Sequence, residues 1–266
     1  MGFGRIAIIG GGRMGEAIVA GLLASGAARP EEISVAEPNE DRRTVFESHG
    51  VVAVPDGHEI VRDADIVILA VKPQVIDAVL AHLADEVPRE AIVVSIAAGV
   101  ETRRIEALLP AGVAVVRVMP NTPAMVGAGM SVVCGGAAAS DQAVETVRSL
   151  FEALGTATVL DERYFDVATA ISGSGPAYVA LVADALARAG VAQGLSKDVA
   201  LALALQTIKG TAELIERTGS HPEALIDAVA SPGGTTIAAV QVLEERAVRA
   251  AFGEAVAAAV RRAREL

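Results

Sequence analysis

Short apolar runs alternate with amphipathic stretches up to about residue 160. The continuous apolar run at 66–71 is typical of a central strand covered on both faces. Strands are predicted at 5–9, 33–37, 51–54, 66–71, 91–96, 114–119, 130–134 and 156–159. Helices are predicted at 12–25, 40–49, 59–62, 73–83, 101–109 and 141–154. The alternation predicts an α/β protein with an N-terminal doubly wound parallel sheet of the Rossmann type.

From about residue 161 the β-runs disappear, and the pattern predicts only helices. These lie at 176–189, 197–217, 222–229, 236–243 and 247–264. The first two carry too many apolar residues for either helix to expose one face to solvent, so a second chain is expected to cover them. We therefore expect a Rossmann domain at 1–160, an all-α domain at 161–266, and a homodimer formed through the C-terminal helices.

Composition and charge narrow the possible partners. No apolar run reaches the ~20 residues of a membrane span, and Asp184 and Arg188 interrupt the most apolar helix. A net charge of −11 disfavours nucleic acid. The N-terminus lacks the pattern of a signal peptide, and a single cysteine, Cys134, fits a reducing compartment. We expect a cytoplasmic protein without membrane or nucleic-acid partners.

The stretch GGGRMGEA at 10–17 follows the first predicted strand and opens the first predicted helix. In that setting Gly10 makes the turn, Gly12 lets the backbone approach a pyrophosphate, and Gly15 lets helix and strand pack closely. The helix N-terminus would compensate the phosphate charge. The alternative is a close-packed strand-to-helix turn that binds nothing.

Glu37 ends the second predicted strand, 22 residues after Gly15. At this spacing an acid meets the adenosine ribose diol and repels the 2′-phosphate of NADP, which favours NADH. Arg42 and Arg43 lie nearby and would accept a 2′-phosphate if Glu37 swings away. The alternative for Glu37 is an ordinary exposed acid at a strand end.

Further polar and small residues follow the later strands. Lys72 closes the most buried strand, and the small residues at 95–99 leave room for a flat ring at the end of the next. Asn121 lies in a rigid turn with two prolines. Its side chain either points into the same crevice or satisfies the hydrogen bonds of the turn itself. The segments SGSGP at 172–176 and SPGGTT at 231–236 each open a helix. Their amides and hydroxyls suit a carboxylate, although two well-capped helix connections would look the same.

The sequence lacks the residue patterns that other classes of catalysis require. The four histidines, at positions 49, 58, 82 and 221, show no metal-ligand spacing, and Cys134 has no obvious base beside it. No metal is therefore expected, and nucleophilic catalysis is disfavoured. Hydride transfer requires neither.

Taken together, GGGRMGEAI, AVKPQ, SIAAGV, RVMPNTPAMVG, ISGSGPAYV and SPGGTTIAAV resemble the pyrroline-5-carboxylate reductase family over nearly the whole chain. The segments ISGSGPAYVALVADALARAG and SPGGTT are specific to that family. The resemblance implies an oxidoreductase acting on a CH–NH group. NADPH or NADH reduces 1-pyrroline-5-carboxylate to L-proline, the last step of proline biosynthesis. It also implies a dimer with interlocked helical domains, with a decamer of five dimers as a further assembly.

The resemblance also implies roles for individual residues. Thr236 would hydrogen-bond the ring nitrogen of the substrate, and Glu162 would be a substrate-side acid that stabilises the iminium charge. The expected substrate contacts are Ser231, Gly233, Gly234, Thr235, Thr236 and Glu162, with Ser174 and Asn121 in shared motifs. The expected cofactor contacts are Gly10, Gly11, Gly12, Arg13, Met14, Gly15, Glu37, Ala70, Val71, Lys72, Pro73 and Ala98.

Two positions depart from the family pattern. Gly57 stands where the family usually has an asparagine on the adenosine side, and the acidic Glu37 disfavours the NADPH preference common in the family. Two alternatives remain. One is a β-hydroxyacid dehydrogenase, although neither Lys197 nor Lys209 lies in the pattern of that class. The other is a non-catalytic nucleotide sensor, which would not need an imine pocket.

Overall fold

The computed structural model describes residues 2–265, and its N-terminal part is built on one eight-stranded sheet. The strands are β1 (Ile6–Ile9), β2 (Ile33–Ala36), β3 (Val52–Val54), β4 (Ile66–Leu69), β5 (Ile92–Ser95), β6 (Ala114–Met119), β7 (Gly129–Gly135) and β8 (Gly155–Val159). Their order across the sheet is β3-β2-β1-β4-β5-β6-β7-β8. Chain order reverses between β1 and β4, as in a doubly wound sheet.

Helices connect the strands of the sheet and form the rest of the chain. The first seven are α1 (Arg13–Ala24), α2 (Glu40–Glu47), α3 (His58–Arg62), α4 (Ile76–Leu83), α5 (Thr102–Glu106), α6 (Asp141–Glu152) and α7 (Phe165–Ala168). The others are α8 (Gly175–Ala192), α9 (Lys197–Thr218), α10 (Pro222–Val229), α11 (Thr235–Glu245) and α12 (Val248–Ala263). The predicted α/β class with a helical C-terminal part is confirmed.

Strand β1 shows how the two faces of the sheet are covered. Ile6 and Ile8 belong to one buried cluster, which includes Phe151, and Ala7 and Ile9 belong to a second. Because side chains alternate across a strand, an unbroken apolar run supplies both faces at once. Helices therefore cover the sheet on both sides, and its functional groups are left at the strand ends.

The sheet is not parallel throughout, which differs from the prediction. Strand β7 runs antiparallel to β6, with Arg117 opposite Cys134, whereas β8 is again parallel to β7. The physical reason is the short connection, which holds the 3₁₀ turn Thr122–Val126. A parallel crossover needs a dozen or more residues, so the next strand folds back instead.

The chain forms two compact units, one comprising residues up to Ser174 with those from Val260 onward, the other comprising Gly175–Ala259. In the second unit α8 packs against α9, and its only buried apolar residues are alanines 183, 187, 200 and 204. A side chain at Gly190 would lie 3.0 Å from the Cβ of Ala200. Small residues thus form the seam between the two helices.

The larger apolar side chains of the second unit lie outside that seam. Leu181 is 70% exposed, Leu203 is 57% exposed, and several others are similarly uncovered. The stretch Glu162–Ala192 meets the length and composition of a membrane span, with 17% of its most apolar window buried. One such stretch is weak support for a span. The uncovered leucines match the expectation that a single chain cannot bury these helices.

Candidate functional site

The strand register brings the predicted cofactor residues to one edge of the sheet. Ile9 pairs with Ala36 on β2 and with Leu69 on β4, so Gly10, Glu37 and Ala70 leave the sheet side by side. The amide of Gly10 donates to the carbonyl of Ala36 (2.9 Å), and the amide of Ala70 donates to the carbonyl of Ile9 (2.8 Å). This is the switch point, where ligands of doubly wound sheets bind.

Three glycines of the loop are required by the protein's own packing. Gly10 has a φ of +109°, and a side chain there would lie 2.6 Å from the carbonyl oxygen of Ala70. At Gly11 a Cβ would lie 2.7 Å from Phe46, and at Gly15 it would overlap the carbonyl oxygen of Gly10. At these positions the loop lies closer to the end of β4, to α2 and to α1 than a side chain would permit.

Gly12 is different. A Cβ there would have no heavy atom within 4 Å, and its φ of −69° is open to any residue. Gly12 is the N-cap of α1, a helix without a side-chain cap, so its first amides face outward. Nothing in the packing explains glycine at this position, whereas a pyrophosphate resting on the helix N-terminus does.

A groove of about 490 Å³ runs along this edge of the sheet. Gly10, Gly12, Glu37, Ala70, Val71 and Lys72 line it, as do Asp56, Gly57 and His82. Among the other predicted cofactor contacts, Arg13 is exposed and Met14 half-buried in the first turn of α1. Pro73 begins a 3₁₀ turn ahead of α4, and Ala98 is half-buried beyond the end of β5.

The carboxylate of Glu37 is held in place by two amides. Its Oε2 accepts a hydrogen bond from the amide of Gly11 (2.8 Å), and its Oε1 accepts one from Asn39 (2.9 Å). Arg42 donates to the carbonyl of Gly11 (2.6 and 2.9 Å) and pairs with Glu16 (2.8 Å). Arg43 donates to the carbonyls of Glu37 and Pro38 (2.9 Å each). The acid is therefore fixed just beyond the end of β2, where the sequence predicts a ribose contact, and both arginines are engaged with the loops.

Gly57 also has a local reason. A Cβ at this position would lie 3.0 Å from Cδ1 of Ile9 and 3.2 Å from Cδ1 of Leu83. An asparagine would require both core side chains to shift. The loop after β3 therefore lies close to the sheet, where a side chain at position 57 would be crowded.

Glu162 takes part in a charged network that the sequence did not reveal. Its Oε1 accepts hydrogen bonds from the amide of Thr102 (2.9 Å) and from Nη1 of Arg117 (3.0 Å), and its Oε2 accepts one from the Thr102 hydroxyl (2.8 Å). Arg117 is only 5% exposed, and its guanidinium lies 4.7 Å above the ring of Phe165. The only signal was an arginine inside the apolar strand AVVRVM.

This network borders a cavity of about 420 Å³, lined by Glu162, Arg117 and three further arginines together with acidic residues. Burial raises the pKa of the nearby Cys134 thiol to about 12, and the charge of Glu162 adds to the effect. The carboxylate of Glu162 therefore already holds Arg117 and Thr102. Its role as a substrate-side acid stays a prediction.

Asn121 and Ser174 lie in the same compact unit as the sheet. Asn121 accepts a hydrogen bond from the amide of Met130 (2.9 Å) and donates one to the carbonyl of Ser172 (3.0 Å). Ser174 ends the π-helical turn Thr169–Gly173. The side-chain amide of Asn121 thus joins two backbone segments by hydrogen bonds. This agrees with the alternative in which Asn121 serves the local structure. Substrate contacts by these two residues stay predictions.

The SPGGTT segment lies in the helical unit. Gly233 has a φ of +68°, and the amide of Gly234 donates to the carbonyl of Ser231 (3.0 Å). Gly234 is the N-cap of α11, which begins at Thr235 and has no side-chain cap. Thr235 is exposed and Thr236 half-buried. Free amides and two hydroxyls therefore gather at one helix N-terminus, an arrangement suited to a carboxylate.

The strand order, the glycine loop and the groove define the class as Rossmann-type oxidoreductases with a helical C-terminal part. Residues 5–99 match the family model for NADP oxidoreductase, coenzyme F420-dependent. Residues 162–266 match the model for pyrroline-5-carboxylate reductase dimerisation.

The chain is 48% identical to the pyrroline-5-carboxylate reductase of Synechocystis, a match that covers 98% of both chains. The solved pyrroline-5-carboxylate reductase of Coxiella burnetii is 37% identical, with a TM-score of 0.93 over 99% of this chain and 98% of that one. The Plasmodium falciparum pyrroline carboxylate reductase, solved with NADP bound, is 30% identical, with a TM-score of 0.89 over 98% and 97%. The chain belongs to the pyrroline-5-carboxylate reductase family. The resemblance drawn from the motifs is confirmed over the whole chain, against the β-hydroxyacid dehydrogenase alternative.

Proposed function

We propose that this chain reduces 1-pyrroline-5-carboxylate to L-proline with NADPH or NADH, completing proline biosynthesis. The observation that carries the proposal is the open position at Gly12, on the N-terminus of α1 beside the groove, in a chain of this family. The reduced nicotinamide supplies a hydride to the C=N carbon of the protonated imine. The protein's own residues bind, orient and exclude water.

The cofactor side of the proposal rests on the sheet edge. The amides at the start of α1 would hold the pyrophosphate, with the loop from Gly10 to Gly15 bending around it. The Glu37 carboxylate would accept hydrogen bonds from the ribose diol. Residues 70–73 and Ala98 would flank the remaining length of the dinucleotide. Because Glu37 is anchored by two amides, the 2′-phosphate of NADPH meets a fixed negative charge, which supports use of NADH.

The substrate side rests on the helical unit. The amides that open α11, with Ser231, Gly233, Gly234 and Thr235, would bind the substrate carboxylate. The Thr236 hydroxyl would hydrogen-bond the ring nitrogen and orient the imine for attack. Residues 1–160 would thus carry the cofactor and residues 161–266 the substrate.

The exposed leucines of α8 and α9 support a homodimer formed through the C-terminal helices. A partner chain that covers these leucines would remove their apolar surface from water. Each Å² buried in this way stabilises the dimer by about 25 cal/mol. A decamer of five dimers is a further assembly of such a dimer. We also propose a cytoplasmic location, because a single cysteine, Cys134, fits a reducing compartment, and no nucleic-acid partner, because the chain carries a net charge of −11.

Steady-state kinetics of Thr236→Ala test this assignment. Losing a hydrogen bond to a charged group costs about 1.5–3 kcal/mol, so kcat/KM for the imine should fall ten- to a hundredfold. Thr236→Ser keeps the hydroxyl and should recover most of the rate. Thr146→Ala is the matched control, because its hydroxyl bonds only within α6, to the carbonyl of Gln142 (2.8 Å), and to the Gln142 side chain.

Two outcomes would contradict the proposal. An unchanged rate for Thr236→Ala would remove the role of that hydroxyl. If the wild-type protein also fails to reduce NAD⁺ with proline at alkaline pH, the reductase activity itself is absent, as expected of a nucleotide sensor.

A further inference from the structure

Three side chains meet at the rim of the groove, although they are far apart in sequence. Asp56 lies in the connection between β3 and α3, His58 begins α3, and His82 lies near the end of α4. One ligand atom from each residue lies within 4.8 Å of the other two. The 23 residues between the two histidines form no recognisable motif, which is why spacing alone predicts no metal.

The positions of the three residues of this group, Asp56, His58 and His82, suit the binding of one shared ion. Oδ2 of Asp56 lies 2.9 Å from Nε2 of His82, and the two imidazole rings are edge to face with centroids 4.1 Å apart. Oδ1 of Asp56 accepts a hydrogen bond from the amide of His58 (2.9 Å), which fixes the carboxylate.

A second carboxylate stands behind one of the histidines. Oε1 of Glu86 lies 3.8 Å from Nδ1 of His58. Arg62 holds Glu86 through two contacts, one of them from Nη2 to Oε1 at 2.9 Å. Metal-binding histidines commonly direct their second nitrogen toward a carboxylate, which orients the ring and raises its basicity. A carboxylate therefore lies beside the second nitrogen of His58, although beyond hydrogen-bond distance.

Two imidazoles and one carboxylate select a particular class of ion. Such a set binds Zn²⁺ and similar transition metals, whereas Mg²⁺ and Ca²⁺ prefer all-oxygen ligands. Ligands at ~2.0–2.1 Å from a tetrahedral ion lie about 3.4 Å apart. The ligand atoms of the three residues lie within 4.8 Å of one another on side chains that are exposed or half-buried, so binding an ion requires these side chains to rotate. Three protein ligands leave the fourth position to water.

We propose that Asp56, His58 and His82 bind one divalent transition-metal ion of the zinc class. Asp56 and His82 also line the groove, so the ion would lie at its rim. Binding of the ion requires neither substrate nor cofactor, so it can be measured in the absence of both.

The test titrates ZnSO₄ alone into full-length protein that has been stripped with EDTA, with no dinucleotide or imine present. Isothermal titration calorimetry and competition with a chromogenic zinc indicator measure affinity and stoichiometry. We expect one site per chain, with tenfold or greater loss of affinity in His82→Gln and in His58→Gln. His49→Gln is the matched control, because His49 is an exposed histidine outside this group.

A visible absorption band of four-coordinate Co²⁺, present in wild type and lost in His82→Gln, would support the proposal independently. Circular dichroism establishes that the variants remain folded, as expected for changes at the surface. Wild type that binds no Zn²⁺, or His82→Gln and His58→Gln variants that bind it as tightly as wild type, would overturn the proposal. Both results leave the reductase proposal untouched, because that is measured by imine reduction.

Discussion

Replacing Gly12 by alanine should separate cofactor binding from folding. The added Cβ meets no heavy atom of the protein within 4 Å, and the backbone at φ −69° and ψ −174° accepts alanine without strain. Every internal contact is therefore kept. The methyl group instead enters the space above the first amides of α1, where a pyrophosphate would rest.

The two consequences differ in size. Lower entropy of the unfolded chain favours alanine by about 0.4–1 kcal/mol, and the weaker N-cap costs a similar amount, roughly 0.5–1 kcal/mol. Net stability should change by less than about 1 kcal/mol, which is less than about 4 °C in Tm. Losing one charge-assisted bond to phosphate costs about 1.5–3 kcal/mol. The Kd for either dinucleotide should therefore rise roughly ten- to a hundredfold.

The assay pairs thermal unfolding with titration of NADH and NADPH, followed by nicotinamide fluorescence. Gly11→Ala is the contrasting control, because its Cβ would lie 2.7 Å from the fully buried Phe46. That overpacking should cost about 1–3 kcal/mol and lower Tm. If Gly12→Ala binds both dinucleotides within twofold of wild type, the glycine loop is a turn and not a phosphate cradle.

Three further predictions concern charges and a thiol. Glu37→Gln should raise the NADPH-to-NADH ratio of kcat/KM about tenfold, because the fixed carboxylate no longer repels the 2′-phosphate; an unchanged ratio in steady-state kinetics contradicts this. Glu162→Gln leaves Arg117 buried without its counter-charge and should lower the free energy of unfolding by about 3 kcal/mol, measured by urea unfolding. A loss below about 0.5 kcal/mol would exclude the network as a stabilising element. Because the pKa of Cys134 is raised to about 12, its side chain carries little thiolate at pH 8. Iodoacetamide should therefore label the native protein over ~100-fold more slowly than the unfolded chain, as followed by mass spectrometry. Comparable labelling rates would refute the burial argument.

Local rules were enough for most of the fold. Apolar runs of four to six residues place the strands within one or two residues of their observed bounds, as at β4 and β6. Alternation with helices then determines the doubly wound order, because a parallel pair needs a crossover. The glycine loop was equally accessible, since a strand followed by glycines and a helix N-terminus is a local arrangement.

The reversal of β7 required more than the pattern. The chain between β6 and β7 is too short for a crossover, and its prolines predict a rigid turn but not the direction of the next strand. Loop length carries that information, and only the pairing in the sheet makes it visible.

The sequence by itself determined the order of the elements, the phosphate loop and, through specific motifs, the family. Tertiary structure alone decided that Glu162 holds Arg117, that Asn121 fastens two backbone segments, and that His58 and His82 meet beside Asp56. The physical reason is range. Periodicity and caps act between residues a few positions apart, whereas most of these contacts join residues 24 to 51 positions apart that only the packed sheet brings within hydrogen-bond or ligand distance.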